Sequence, residues 1–97
     1  MTDDLLVQAD RASAFLKLIS GRTRLNILYL LRDGERSVGE LAELSGVRDT
    51  AVSQQLALLR NDGIVAARRA GQTIFYSLAS QEAVALLVLM DRLFGAA

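Results

Sequence analysis

The stretch Ser37 to Arg60, SVGELAELSGVRDTAVSQQLALLR, decides the fold. Leu41, Ala42, Leu44, Val47, Val52, Leu56 and Leu59 are apolar and spaced so that one short helix packs across another. Ser37 with Glu40 three residues later forms a capping box and sets where the first of these helices begins. Gly46 stands at the turn, where a backbone without Cβ enters conformations closed to other residues. Ala42 precedes it by one helical turn, at the point where the helices cross and a larger side chain would push them apart. The second helix starts at about Asp49 or Thr50 and ends at Asn61, with Asn61-Asp62-Gly63 closing it.

Packing these apolar positions together leaves Arg48, Asp49, Thr50, Ser53, Gln54 and Gln55 outside. Short hydrogen-bonding side chains on an exposed helix face are the groups that read base edges in a major groove. Residues 37–61 therefore have the pattern of a DNA-binding helix-turn-helix, although an ordinary helical hairpin with a polar outer face shares it. Asp49 is expected to cap the second helix rather than touch DNA, because a carboxylate beside phosphate is costly.

The chain that follows favours DNA. After Gly63 the apolar period changes from helical to alternating: Ile64 to Arg69 and Thr73 to Leu78 are β-rich stretches around Ala70-Gly71-Gln72. Residues 64–78 are thus expected to form a two-stranded hairpin whose tip carries Arg68, Arg69, Gly71 and Gln72. A basic hairpin directly after a helix-turn-helix is a wing, placed to contact backbone phosphate or the minor groove.

Upstream, residues 4–19 and 22–31 read as two helices interrupted at Ser20-Gly21, with Leu25, Ile27, Leu28, Leu30 and Leu31 turned inward on the second. Asp33-Gly34-Glu35 is a polar turn. Downstream, Ser80 caps a last helix from Gln81 to Phe94 that is apolar almost all round. One face of that helix serves the core, and a chain this short has nothing left to cover the other. The first helix has the same excess, so residues 1–20 and 80–95 are expected to be dimerisation helices, with Leu5, Leu6, Phe15, Leu86, Leu89, Met90, Leu93 and Phe94 at a two-fold interface. Phe15, Tyr29, Met90 and Phe94 read as plain core rather than as a ligand pocket.

Composition narrows the remaining classes. Ninety-seven residues suit one domain, 1–97, and 52% of them are hydrophobic, rich for a small monomer. With neither cysteine nor histidine, the chain has no disulfide, no thiol switch, no His/Cys metal site and no histidine-based catalysis. No nucleophile–base arrangement is visible, so no catalytic residue, enzyme activity, cofactor or metal is expected. No signal peptide is apparent, and the longest apolar run, Ala83 to Met90, is too short to span a bilayer, so a cytoplasmic location without membrane contact is expected. Net charge is zero, but Arg22, Arg24, Arg32, Arg36, Arg48, Arg60, Arg68 and Arg69 concentrate in the central part of the chain.

The stretches GRTRLNILYLL, SVGELAELSGV, TAVSQQLALLRNDGIV and RRAGQTIFYSL resemble the ArsR (ArsR/SmtB) family of bacterial winged-helix repressors over roughly residues 10–94. Within that family they are most similar to the branch containing NolR, HlyU and BigR. The resemblance implies a mainly α winged helix-turn-helix fold with a small β-hairpin, built from four helices, the hairpin and a fifth helix. It further implies a homodimeric transcriptional repressor on double-stranded DNA at a palindromic operator. Arg48, Thr50, Ser53, Gln54 and Gln55 fall in the recognition helix region, while Arg22, Arg24, Arg60, Arg68, Arg69 and Gln72 are candidates for backbone and wing contacts. Relatives often carry histidine at the position of Gln55 and a capping serine at that of Arg48. Metal and thiol sensors of the family use Cys, Asp, His or Glu sets on the third and last helices. Here the third helix offers Ala42 and Leu44, the last offers Glu82 and Asp91, and the places of the cysteine pair correspond to Ala42 and Gly95. The alternative is a winged-helix protein-interaction module without sequence-specific DNA binding, which the neutral charge and Glu40, Glu43, Asp49 and Asp62 near the helix pair would suit.

Overall fold

A computed structural model describes residues 3–95; the outermost two positions at each end of the expected 1–97 domain, including the first two of the 1–20 segment, lie outside them. The elements run α1 (Asp3–Ile19), α2 (Arg22–Leu31), β1 (Arg36–Ser37), α3 (Val38–Ser45), α4 (Asp49–Asn61), β2 (Val65–Ala70), β3 (Thr73–Leu78) and α5 (Gln81–Phe94). Helices dominate, with a small antiparallel sheet beside them.

The α3–α4 pair is built as the apolar spacing dictates. Leu41, Val52 and Leu56 have no exposed surface, Leu59 is 1% exposed and Ala42 is 7% exposed. They join Ile27, Leu28 and Leu31 of α2, together with Ile64, Val65, Tyr76, Ala83 and Leu87, in one core. The turn between the helices depends on Gly46, at φ +73 in the left-handed region, whose N–H donates to the Ala42 carbonyl at 2.9 Å. A Cβ there would meet nothing within 4 Å. The requirement for glycine is therefore dihedral, not one of space. Leu44 departs from expectation: it is 53% exposed, because it projects from the outer side of α3 while Leu41 and Ala42 face α4.

The sheet has one strand more than expected. Arg36 and Ser37 form β1, which pairs antiparallel with β3 through Arg36–Tyr76 and Ser37–Phe75, giving the order β1-β3-β2. Two residues show no alternation, so the strand has no signature of its own. Ser37 works in both elements: its backbone sits in β1, and its Oγ accepts from the Glu40 N–H at 3.1 Å while Glu40 Oε1 accepts from the Ser37 N–H at 3.1 Å. The capping box thus sets the α3 start and docks it to the wing. In the hairpin, β2 begins at Val65 rather than Ile64, and Ala70 pairs with Thr73 across Gly71-Gln72. Only Gly71 of the two turn residues has positive φ, +63, as a two-residue turn with glycine first requires.

Arg68 lies opposite Phe75, with its guanidinium carbon 4.9 Å from the ring centroid. It also donates to both Glu35 oxygens, from Nη2 at 2.5 Å and Nε at 3.1 Å. That hydrogen bond, opposed by desolvation and assisted by the arginine charge, holds the Glu35 carboxyl below its usual value. The wing is tied in this way to the turn after α2.

The outer helices carry apolar surface that no neighbour covers. In α1 only Ile19 is buried, with Phe15 and Leu18 half-buried. Leu5 is 51% and Leu6 49% exposed. In α5 Ala83 and Leu87 enter the core and Leu86 and Met90 are half-buried, whereas Leu89 is 46%, Leu93 59% and Phe94 78% exposed. Phe94 therefore does not belong to the core within one chain. Ser80 caps α5 through Oγ, which accepts from the Ala83 N–H at 3.0 Å. Arg32 Nη1 binds both Asp91 oxygens, at 2.6 and 2.7 Å, fastening the end of α2 to α5.

Replacing Leu56 by alanine removes a side chain buried where α4 meets the core and is expected to cost about 2–5 kcal/mol, read from denaturant midpoints at fixed protein concentration. Glu35 is expected to titrate below an ordinary glutamate, so its contribution is present above the usual carboxylate range and disappears as pH falls through the lowered value. In an NMR titration Arg68→Ala should move the Glu35 midpoint upward; an unmoved midpoint would rule out the pairing.

Candidate nucleic-acid interface

Helix α4 presents two faces with different chemistry. Val52, Leu56 and Leu59 are buried, while Thr50, Ser53 and Gln54, at the i, i+3, i+4 spacing of a single face, are exposed. Ala57, one further turn along this face, is also exposed and was not among the expected contacts. Its spacing from Thr50 and Ser53 was the available signal. A small side chain there lets a partner surface approach α4 closely.

Helix capping differs from expectation at the start of α4. The N-cap residue is Arg48, at φ −62 and ψ 147, and its side chain makes no capping bond. Asp49 is instead the first helical residue, in the opening turn where a carboxylate complements the helix dipole. An arginine at the cap exchanges a backbone-capping oxygen for a cation at the edge of the exposed face.

Gln55 is only half-buried, and its carboxamide is engaged. Arg24 Nε donates to Gln55 Oε1 at 2.7 Å, and Arg24 Nη1 donates to the carbonyls of Leu18 at 3.0 Å and Lys17 at 3.3 Å. The expected backbone-contacting cation, half-buried, is thus engaged within the chain, joining α1, α2 and α4. Nothing in the sequence around either residue announces this pair, which spans 31 positions.

The other arginines between residues 22 and 69 divide in two. Arg32 is paired with Asp91, Arg36 with Glu40 at 3.7 Å, and Arg68 with Glu35. Among the described residues Arg22, at the start of α2, Arg48 and Arg60, in the last turn of α4, are exposed and in no ion pair. Arg69 is exposed at the wing tip, where Nε donates to the Gly71 carbonyl at 3.0 Å, and Gln72 is exposed beside it. Of the nearby acids, Glu40 is occupied by the capping box and Asp62 is the C-cap of α4.

Known proteins resemble this arrangement closely. Residues 21–67 match the family described as "Bacterial regulatory protein, arsR family". "Transcriptional activator HlyU" of Vibrio cholerae is 44% identical over 84 residues, covering 87% of this chain and 78% of that protein. The structure of reduced HlyU from the same organism superposes with a TM-score of 0.92 at 39% identity, covering 98% of this chain and 100% of the other. The transcriptional repressor BigR from Xylella fastidiosa gives a TM-score of 0.89 at 38% identity, with both chains fully covered. A homodimeric winged helix-turn-helix DNA-binding domain from Mycobacterium bovis gives 0.78 at 31% identity, covering 96% and 86% of the two chains. With an exposed polar face on α4, a hairpin wing beside it and identity at this level over nearly its whole length, the chain belongs to the ArsR family of winged helix-turn-helix bacterial regulatory proteins.

Proposed function

We propose that the protein is a sequence-specific DNA-binding transcriptional repressor that acts as a homodimer on a palindromic operator. The exposed Thr50–Ser53–Gln54 face of a helix whose other side is core supports this most directly. Such a helix enters a major groove as a rigid body, and its polar side chains meet base edges without rearranging the protein. Arg22, Arg48 and Arg60 flank it as phosphate contacts. At the wing Arg69 and Gln72 meet backbone or minor groove, while Arg68, paired with Glu35, braces the hairpin.

Dimerisation is supported by the bare apolar surface of α1 and α5. Leu5, Leu6, Leu89, Leu93 and Phe94 of one protomer bury against a second copy, with Phe15, Leu86 and Met90 behind them. The homodimeric relative from Mycobacterium bovis has the same fold. Two-fold symmetry then sets two copies of α4 about one helical turn of DNA apart, ~34 Å, and makes the operator palindromic. An occupied operator blocks polymerase sterically. The relatives named above include an activator and a repressor. Within these 97 residues no cysteine or histidine is available to a thiol or His/Cys metal sensor.

Selection from a random duplex pool should enrich a palindromic motif. On that motif Gln54→Ala is expected to lose about 1–3 kcal/mol and relax one position per half-site. Arg69→Ala should weaken cognate and scrambled duplexes alike and reduce the salt slope by about one unit. Failure of the wild type to bind any duplex at low salt would instead favour a protein-interaction module. Leu93→Glu is expected to convert the dimer to monomer in analytical ultracentrifugation; a wild-type monomer would refute the dimer.

A further inference from the structure

Helix α1 is fastened to the rest of the chain only at its C-terminal end. Residues 3–14 are all exposed, Phe15 and Leu18 are half-buried, and Ile19 alone is buried. The chain then breaks at Ser20-Gly21 before α2 begins. Apolar packing at one residue restrains where a helix ends better than it restrains the direction of its axis. That direction falls to Arg24.

Arg24 stands in the first turn of α2 and is half-buried. Its Nη1 donates to the Leu18 carbonyl at 3.0 Å and to the Lys17 carbonyl at 3.3 Å, both in the last turn of α1. Carbonyls at a helix end lack intrahelical partners, and a cation is favoured beside them. Its Nε donates to Gln55 Oε1 on α4 at 2.7 Å. One planar guanidinium thus joins the end of α1 to the side of α4, beside the exposed Thr50–Ser53–Gln54 face.

The two helices joined here have different tasks in the proposed dimer. Helix α1 carries Leu5 and Leu6 to the second copy, and α4 carries the base-reading side chains. Helix α5 also ties the interface to the body of the protomer, through Ala83, Leu87 and the Arg32–Asp91 pair. A body attached along one helix can still pivot about it. A second attachment through α1 stops that rotation only while α1 keeps its angle. Leu5 lies about 20 Å along the axis from Leu18, so a tilt of about 10° moves it by roughly 3–4 Å, the rise of one base-pair step.

We propose that Arg24, acting through Gln55, is a positioning residue that fixes the angle between the dimerisation helix and the reading helix, and with it the half-site spacing the dimer accepts. The proposal rests on the homodimeric DNA-binding reading above. It assigns Arg24 to geometry rather than to phosphate contact.

The test uses duplexes that carry the half-sites selected by the wild type, at the selected spacing and with one base pair more or fewer between them. Wild type, Arg24→Ala, Gln55→Ala and Gln55→Glu are compared, with folding checked by thermal melt and the dimer by sedimentation. The wild type should reject the altered spacings by about tenfold, whereas Arg24→Ala and Gln55→Ala should bind all three within about threefold. Gln55→Glu keeps an oxygen for Arg24, so its spacing profile should stay wild-type even as its added charge weakens every duplex. Lost stability or a lost phosphate contact would weaken all spacings alike and leave the tenfold ratio intact. That result overturns the proposal, as does a wild type indifferent to spacing or a Gln55→Glu profile as flat as that of Gln55→Ala. A second readout needs no DNA. Because the chain has no cysteine, Ala57→Cys on the exposed side of α4 takes one spin label per protomer. The label-to-label distance distribution across the dimer should be narrow in the parent and broaden with Arg24→Ala; an unchanged width overturns the proposal. Should Arg24→Ala fail to fold, the contrast of Gln55→Ala with Gln55→Glu decides. A wild type that stays monomeric or binds no duplex refutes the underlying reading and this inference with it, whereas variants with the wild-type spacing profile refute this inference alone.

Discussion

Everything exposed on α4 is positioned by the crossing of α3 and α4. Leu41, Val52 and Leu56 are fully buried in the core that the two helices share with α2, and Ala42 is buried beside them. The crossing angle in turn depends on Gly46 holding a left-handed conformation that other residues adopt only under strain. Because α4 is buried along Val52, Leu56 and Leu59, its rotation about its own axis is fixed. Its polar face can then point in only one direction.

The second level of organisation is electrostatic and falls mainly to arginine. Arg32 binds α2 to α5 through Asp91, Arg68 binds the wing to the turn after α2 through Glu35, and Arg24 binds α1, α2 and α4 at one point. Planar guanidinium groups suit this work because they reach two acceptors at once. Exposed ion pairs contribute little to stability, so their effect lies in geometry: they orient elements whose apolar contacts are few. The zero net charge also takes on a different meaning. Four of the arginines concentrated between residues 22 and 69 are engaged within the chain, which leaves a smaller, localised set beside α4 and at the wing tip.

Much of this was legible from local pattern. The two caps at Ser37 and Ser80, the breaks at Gly21 and Gly46, the period change after Gly63 and the glycine of the hairpin turn all act within a few residues, and each lies at the expected place. The misses share a cause. Strand β1 exists because Arg36 and Ser37 meet Tyr76 and Phe75, partners from a distant part of the chain. Leu44 has the apolarity of a packed position, but α3 is short and Leu44 stands on its outer side, 53% exposed. Asp49 has the chemistry of a cap but stands one residue inside the helix, where its side chain serves the dipole instead.

Local sequence determined the elements, their order, the helix-turn-helix and an apolar excess on the outer helices, because caps, glycine dihedrals and hydrophobic period operate over one or two turns. The family resemblance followed from the same motifs. Only the tertiary structure decided which polar side chains remain available to a ligand. Arg24, Gln55 and Arg68 look like free contacts in the sequence and are engaged in the fold, since hydrogen-bond partners are chosen by proximity in space, and 31 residues of intervening chain leave no local trace of that choice.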